Sequence, residues 1–158
     1  MKAQLVDSLY FPSLEKKLSF AGLDSWLNLV HKMYGYKIHR YAAFEESHPL
    51  AALGLAEINH PVFGHYLATA PFGSYGGLAY ETIAARDLLL SEARRLAEDI
   101  HAEYISIRFD EGASTPPDDW QQSPSYFTYL IDLPADPNDL LKKFSSDHRN
   151  HIRKSLKK

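Results

Sequence analysis

The run Ala51 to Ile58, reading Ala-Ala-Leu-Gly-Leu-Ala-Glu-Ile, limits the fold of this chain more than any other feature. A strand with one wet face alternates apolar and polar residues, whereas a strand covered on both faces reads as an almost unbroken apolar run. Ala51 to Ile58 is of the second kind, so packing is expected above and below it. Asn59-His60-Pro61 supplies a turn, and a further strand is expected at about Phe63 to Thr69. Upstream, Tyr36 to Phe44 reads as an aromatic-rich strand closed by a polar turn at Glu45 to Pro49. Three strands joined by short turns imply an antiparallel meander.

Helical spacing appears on both sides of this meander. Trp26, Leu27, Leu29, Val30 and Met33 predict a helix over Asp24 to Met33, capped by Asp24 or Ser25 and ended by Gly35. Between Thr82 and His101, Ile83, Leu89, Leu90, Ala93, Leu96, Ala97 and Ile100 form one stripe, which predicts a long amphipathic helix. Tyr104 to Phe109 alternates, with Ile105, Ile107 and Phe109 on one side, and reads as a half-buried strand that could run parallel to an earlier one. Asp110 to Pro124 is an acidic, proline-containing surface loop, and Tyr126 to Leu133 is expected as another strand. Asp136-Pro137 then starts a helix, and Ser145 or Ser146 caps a last, basic one.

With 158 residues and 45% apolar content, the chain can bury one core. There is no cysteine, which removes disulfides, thiolate metal sites and cysteine nucleophiles together. The first twelve residues lack the apolar stretch of a secretory signal, and no run is long enough for a transmembrane helix, so a cytoplasmic location is expected. Charge is unevenly spread. Lys142 to Lys158 holds seven Lys or Arg against one Asp, and the rest of the chain holds ten basic and nineteen acidic residues. Such a basic end suits anions, with diphosphate or the tRNA backbone as candidates through Arg149, Arg153 and Lys154; a solvated helix face is the plain alternative. No interleaved aromatics mark a nucleic-acid stacking platform there.

The loop Pro71-Phe72-Gly73-Ser74-Tyr75-Gly76-Gly77 could set backbone N–H groups against a phosphate or carboxylate, or serve as a tight strand-to-helix connection with Phe72 buried. It matches no P-loop and no dinucleotide fingerprint, and Ser74 lacks the spacing of a nucleophile elbow. Arg108, on the polar side of its strand beside Asp110, is suited either to a two-donor grip on an anion or to a structural ion pair. His148 and His151 share a helix with cations and no nearby Glu, and the other histidines are scattered, so no metal site is expected.

Taken in order, Trp26, Leu53 to Ile58, Phe63 to Thr69, Ala70-Pro71-Phe72 through Tyr75-Gly76-Gly77, Ile107-Arg108-Phe109-Asp110, Tyr129-Leu130-Ile131-Asp132-Leu133 and Arg149-Asn150-His151-Ile152-Arg153-Lys154-Ser155 resemble the first domain of the FemAB-like family. Members of that family have two GNAT-type domains in tandem, and the resemblance is closest to the subgroup linked with exopolysaccharide or cell-envelope loci. It implies an α+β, GNAT-like fold: a mixed, mostly antiparallel sheet flanked by helices over 1–144, with 145–158 a basic helix leading toward a second GNAT-like domain. It implies an N-acyl or aminoacyl transferase acting on an amine of a cell-envelope or exopolysaccharide precursor, incomplete without that second domain or a second copy. Acyl-CoA or aminoacyl-tRNA would be the donor substrate, with no resident cofactor, no DNA and no membrane span. The Arg/Gln-x-x-Gly-x-Gly/Ala turn of acetyl-CoA-binding domains is missing, so acetyl-CoA binding has no motif behind it. The expected substrate contacts are Lys32, which resembles a lysine near substrate phosphates in the family, together with Phe72, Tyr75, Gly76, Gly77, Arg108, Arg149, Arg153 and Lys154. No acidic residue stands out as general base. The alternative is a non-catalytic binding module or remnant that holds an anion or tRNA.

Overall fold

The computed structural model describes residues 1–109, 117, 119–123 and 131–157. They divide into two units, Met1–Trp120 and Gln121–Lys158. In chain order the first unit comprises β1 (Lys2–Leu5), α1 (Pro12–Glu15), a 3-10 turn (Phe20–Gly22), α2 (Asp24–Tyr34), β2 (Lys37–Glu45), β3 (His48–His60), β4 (Gly64–Ala68), β5 (Leu78–Tyr80), α3 (Ile83–Asp99) and β6 (Tyr104–Ser106). The sheet runs β1-β2-β3-β4-β6, with β5 also paired to β3. Every pairing is antiparallel except that of β4 with β6, which is parallel.

The expected meander is β2, β3 and β4, with tighter turns than the sequence suggests. His48 and Pro49 already belong to β3, so the first turn shrinks to Glu46 and Ser47; Asn59 and His60 extend β3, so the second is Pro61 to Phe63. Ladder hydrogen bonds that extend β3 outweigh the local turn preference of these polar residues.

Both faces of β3 are covered, as its apolar run requires. On one, Tyr41, Leu53, Leu55 and Leu67 pack with Ala85, Leu89, Leu90 and Ala93 of α3. On the other, Ala52 and Ala79 lie against Leu9, Leu14, Leu18 and Leu27 from the N-terminal segment, α1 and α2. The second face is built from small residues because the helices come close: a Cβ on Gly54 would stand 2.7 Å from Leu27 Cδ1. Leu14, Leu27, Leu53, Leu55, Leu67 and Leu89 are fully buried, and each such side chain contributes about 1.5–3 kcal/mol.

The helix ends follow the sequence with one exception. Thr82 Oγ1 accepts from the Ala85 N–H at the start of α3, and Gly35, at φ 73°, donates its N–H to His31 O at the end of α2. Neither Asp24 nor Ser25 caps α2; the capping position is Leu23, with no side-chain bond. The Asp24 carboxylate is used elsewhere. It accepts from Ser8 Oγ, from Leu9 N at 2.7 Å and from Arg40 Nε at 2.8 Å, joining the segment before α1 to β2.

The second unit contains α4 (Pro137–Lys143) and α5 (Ser146–Ser155). Asp136 accepts from Asn138 N at 2.9 Å, and Ser145 from His148 N at 3.3 Å, so both helices start with capping side chains. The expected loop Asp110 to Pro124 and strand Tyr126 to Leu133 lie largely outside the described residues. Among the described residues, no helix is long and apolar enough to cross a membrane.

Candidate functional site

The strands β4 and β5 use successive stretches of one β3 edge, with Ala68 opposite Ala56 and Leu78 opposite Leu53. Thr69 to Gly77 is therefore an excursion out of a single interrupted strand. The parallel ladder of β4 and β6 covers Tyr66–Tyr104, Leu67–Ile105 and Ala68–Ser106, where both strands end. Thr69 N still reaches Ser106 O at 3.0 Å, and Arg108 N reaches Thr69 Oγ1 at 2.8 Å. The loop then returns, Gly76 bridging to Arg108.

The loop is held by its carbonyls, which alternate between inward partners. Pro71 O accepts from Trp26 Nε1 at 2.8 Å, Gly73 O from Arg108 Nη1, Tyr75 O from Ser19 Oγ at 2.6 Å, and Gly77 O from Gly54 N at 2.9 Å. Gly76 N donates to Arg108 O at 3.0 Å. Backbone approach is close throughout: a Cβ on Gly22 of the 3-10 turn would stand 2.8 Å from Gly77 Cα.

Two controls separate the roles of loop glycines. Gly76 has φ 100°, and a Cβ there would run into Ser19 Oγ and stand 2.7 Å from Ser19 Cβ. Gly35 has φ 73° with nothing within 4 Å of a Cβ. Gly76→Ala is expected to cost about 2–4 kcal/mol in urea unfolding, and Gly35→Ala only about 1 kcal/mol, because the second change brings backbone strain without a collision.

Phe72 is not buried. It is 59% exposed, at φ 60°, and the loop leads into β5 before reaching α3. Its left-handed backbone turns the ring outward onto Tyr34, at 4.5 Å between centroids, and Tyr34 stacks in turn on Tyr36 at 5.6 Å. Tyr66 stacks on Tyr104 at 4.7 Å on adjoining strands. Burial raises the Tyr66 hydroxyl above its ordinary pKa and the Tyr104 and Tyr36 hydroxyls add to this, while the Arg108 charge pulls it back. These groups therefore share one neighbourhood, and Tyr66 stays a hydrogen-bond donor through neutral pH.

Arg108 is exposed at the end of this cluster. One guanidinium N–H is given to Gly73 O, and a fork of five donors leaves others for an anion. Of the other expected contacts, Phe72, Tyr75, Gly76 and Gly77 sit in the loop around it. Lys32 is exposed on the last turns of α2, two residues from Tyr34, so it leaves the helix on another side. Arg149, Arg153 and Lys154 belong to the second unit.

Sequence reasoning passed over a second polar cluster. His39 Nε2 lies 2.7 Å from Glu57 Oε2, His65 Nε2 lies 3.3 Å from Glu57 Oε1, and Lys37 Nζ lies 3.9 Å from Oε2. Burial pushes the Glu57 carboxyl up, but the hydrogen bonds from His39 and His65 and the charges of His39 and Lys37 bring it below its ordinary value. One carboxylate thus fixes two imidazoles on the sheet. Glu57 pairs with Leu67 near the end of β4 while its carboxylate meets His65 near the start, and the loop and Arg108 lie past that end.

No family model matches the sequence, and no curated protein matches it. Solved structures do. One is a GNAT family acetyltransferase from Staphylococcus aureus, with a TM-score of 0.51 at 11% identity, covering 82% of this chain and 98% of that one. Another is a ribosomal-protein-alanine N-acetyltransferase from Brucella melitensis, with a TM-score of 0.53 at 11% identity, covering 84% and 98%. At such identity the likeness is one of fold, and it fits the mixed, mostly antiparallel sheet and flanking helices described above: this chain has an α+β, GNAT-like acetyltransferase fold.

Proposed function

We propose that the first unit is a substrate-holding domain of an N-acyl or aminoacyl transferase of FemAB-like type, whose acceptor is an amine on a cell-envelope or exopolysaccharide precursor. The observation that carries this reading is the exposed Arg108 fork, set just past the end of two parallel strands and beside Tyr66, Tyr36 and Phe72. A guanidinium with spare donors beside aromatic faces suits an anionic sugar or phosphate carrying the acceptor. In the reaction the amine nitrogen bonds to the acyl carbon, the ester C–O or thioester C–S bond breaks, and the amine gives up a proton. Chemistry of this kind needs positioning and a place for the oxyanion more than a covalent nucleophile. Acyl-CoA or aminoacyl-tRNA is the donor in this reading, and a second GNAT-like domain or a second copy supplies the facing wall.

Calorimetric titration with glucosamine 6-phosphate, which joins an amine to an anion, tests the site. Binding is expected to exceed that of glucosamine and to weaken with added salt. Equal binding of the two sugars, or none of either at low salt, would sink the proposal.

A further inference from the structure

The second unit carries a feature that the reading of the first unit leaves unused. Ile152 of α5 and Leu156, the residue that closes the helix, lie one turn apart, and Phe144 precedes them just before the helix. Leu156 is 78% exposed, more than most large apolar side chains in the described residues. Arg149 and Arg153, one turn apart on α5, and Lys157 just past it run beside that apolar line, whereas Lys154, two residues from both Ile152 and Leu156, leaves the helix on another side. The side chain of Asp147 is turned to the far side, where it meets His151 at 3.4 Å. Arg153, Lys154 and Lys157 form no ion pair among the described residues, although Asp139 on α4 holds Lys142 at 2.7 Å.

We infer that α5 is an interfacial element that lays its Ile152 and Leu156 edge on an anionic lipid surface, with Arg149, Arg153 and Lys157 against the headgroups. Charge complementarity selects an anionic partner: Lys142 to Lys158 has seven Lys or Arg against one Asp. The apolar line selects a membrane over a nucleic acid. A phosphate backbone uses the cations alone, and a stacking platform would need exposed aromatics between them, whereas a bilayer boundary takes up aliphatic side chains flanked by Lys and Arg. Ten residues and two aliphatic anchors make this a weak, reversible contact, one that salt would dissolve.

The test is sedimentation of the full chain with vesicles of equimolar phosphatidylglycerol and phosphatidylcholine, against phosphatidylcholine alone. Binding to the anionic vesicles at low salt, absent from the neutral ones, is expected. Arg153→Gln with Lys157→Gln should weaken it about thirty-fold, at about five-fold per cation. Ile152→Ser with Leu156→Ser should weaken it several-fold while leaving retention on a polyanion resin, such as heparin, unchanged. All four positions are exposed or half-exposed in the second unit, so circular dichroism of the first unit's elements should be unaltered. No binding to anionic vesicles at low salt overturns the inference. So does binding that ignores the Ile152 and Leu156 changes and is displaced by tRNA, which would assign the helix to nucleic acid. Either result leaves the Arg108 site untouched, since sugar binding there is measured without lipid.

Discussion

Arg108→Ala is expected to weaken binding of glucosamine 6-phosphate about thirty-fold, the loss of roughly 2 kcal/mol from one charge-assisted, two-donor contact. The side chain has two tasks, and the conservative variant divides them. One N–H holds the Gly73 carbonyl and so helps keep the loop in place; the rest of the fork faces outward. Lysine restores the charge but not the fork, so Arg108→Lys should recover salt-sensitive binding to within about ten-fold of the native protein. If Arg108 served the loop alone, both variants would lower the urea midpoint equally and neither would alter the salt slope. The loop has three other carbonyl anchors, from Trp26, Ser19 and Gly54, so the stability cost of Arg108→Ala should stay near 1 kcal/mol. A large loss of binding with a small loss of stability is the expected pattern.

What the sequence showed and what it hid divide along the range of the interactions. The α3 stripe, the two-faced strand around Leu53 and Leu55, and the alternation that packs Ile105, Ile107 and Phe109 on the α3 side are carried by periodicity. The first two elements are present, and the strand expected over Tyr104 to Phe109 is shorter, Tyr104–Ser106, because past Ser106 the partner chain leaves the sheet as the loop and Arg108 keeps only a single bridge, to Gly76. The strands β1 and β5 were invisible. Lys2 to Leu5 is a short, mostly exposed edge strand, and Leu78 to Tyr80 is a three-residue return to β3 whose only local mark is the pair of glycines before it. Asp24 was misread because a carboxylate at a helix start looks like a cap, while its partners Leu9 and Arg40 lie 15 and 16 residues away. At the site, Arg108 and the Pro71 to Gly77 loop could be named from the chain, but their union could not. It needs the return of the loop, whose antiparallel bridge sets Gly76 opposite Arg108 across 32 residues of sequence, just past the parallel pair of β4 and β6. The Tyr34, Tyr36 and Phe72 stack and the His39, Glu57 and His65 cluster have the same origin. Each joins residues from different elements, and the packing of those elements, or for His39, Glu57 and His65 the strand register, must be known before such residues count as neighbours.

A stability effect as large as that of Gly76→Ala is expected at Asp24. Its carboxylate accepts from Leu9 N and Arg40 Nε, and Arg40 keeps a second bond to Asn28 Oδ1 at 2.6 Å. Leu9 is 2% exposed and the Arg40 side chain 12%, so Asp24→Ala strands a buried N–H and a largely buried cation together. The expected loss is about 3 kcal/mol, moderated because Asp24 itself is partly solvated. With a urea slope near 1.5 kcal/mol per molar, the midpoint should fall by about 2 M. The pH dependence distinguishes charge from packing. Burial raises the Asp24 carboxyl, but the hydrogen bonds from Ser8, Arg40 and Leu9 and the Arg40 charge leave it below its ordinary 3.8. A depressed folded-state value means the stabilisation is complete above about pH 3.8 and disappears as the pH falls through the lower folded value. Asp24→Asn should therefore differ from the native protein by a constant amount at neutral pH and converge with it in acid. Glu57, also depressed, from 4.5, begins to lose its share first on the same descent. A gap between native and Asp24→Asn proteins that stayed unchanged down to pH 2 would show that shape, not charge, holds the N-terminal segment to β2.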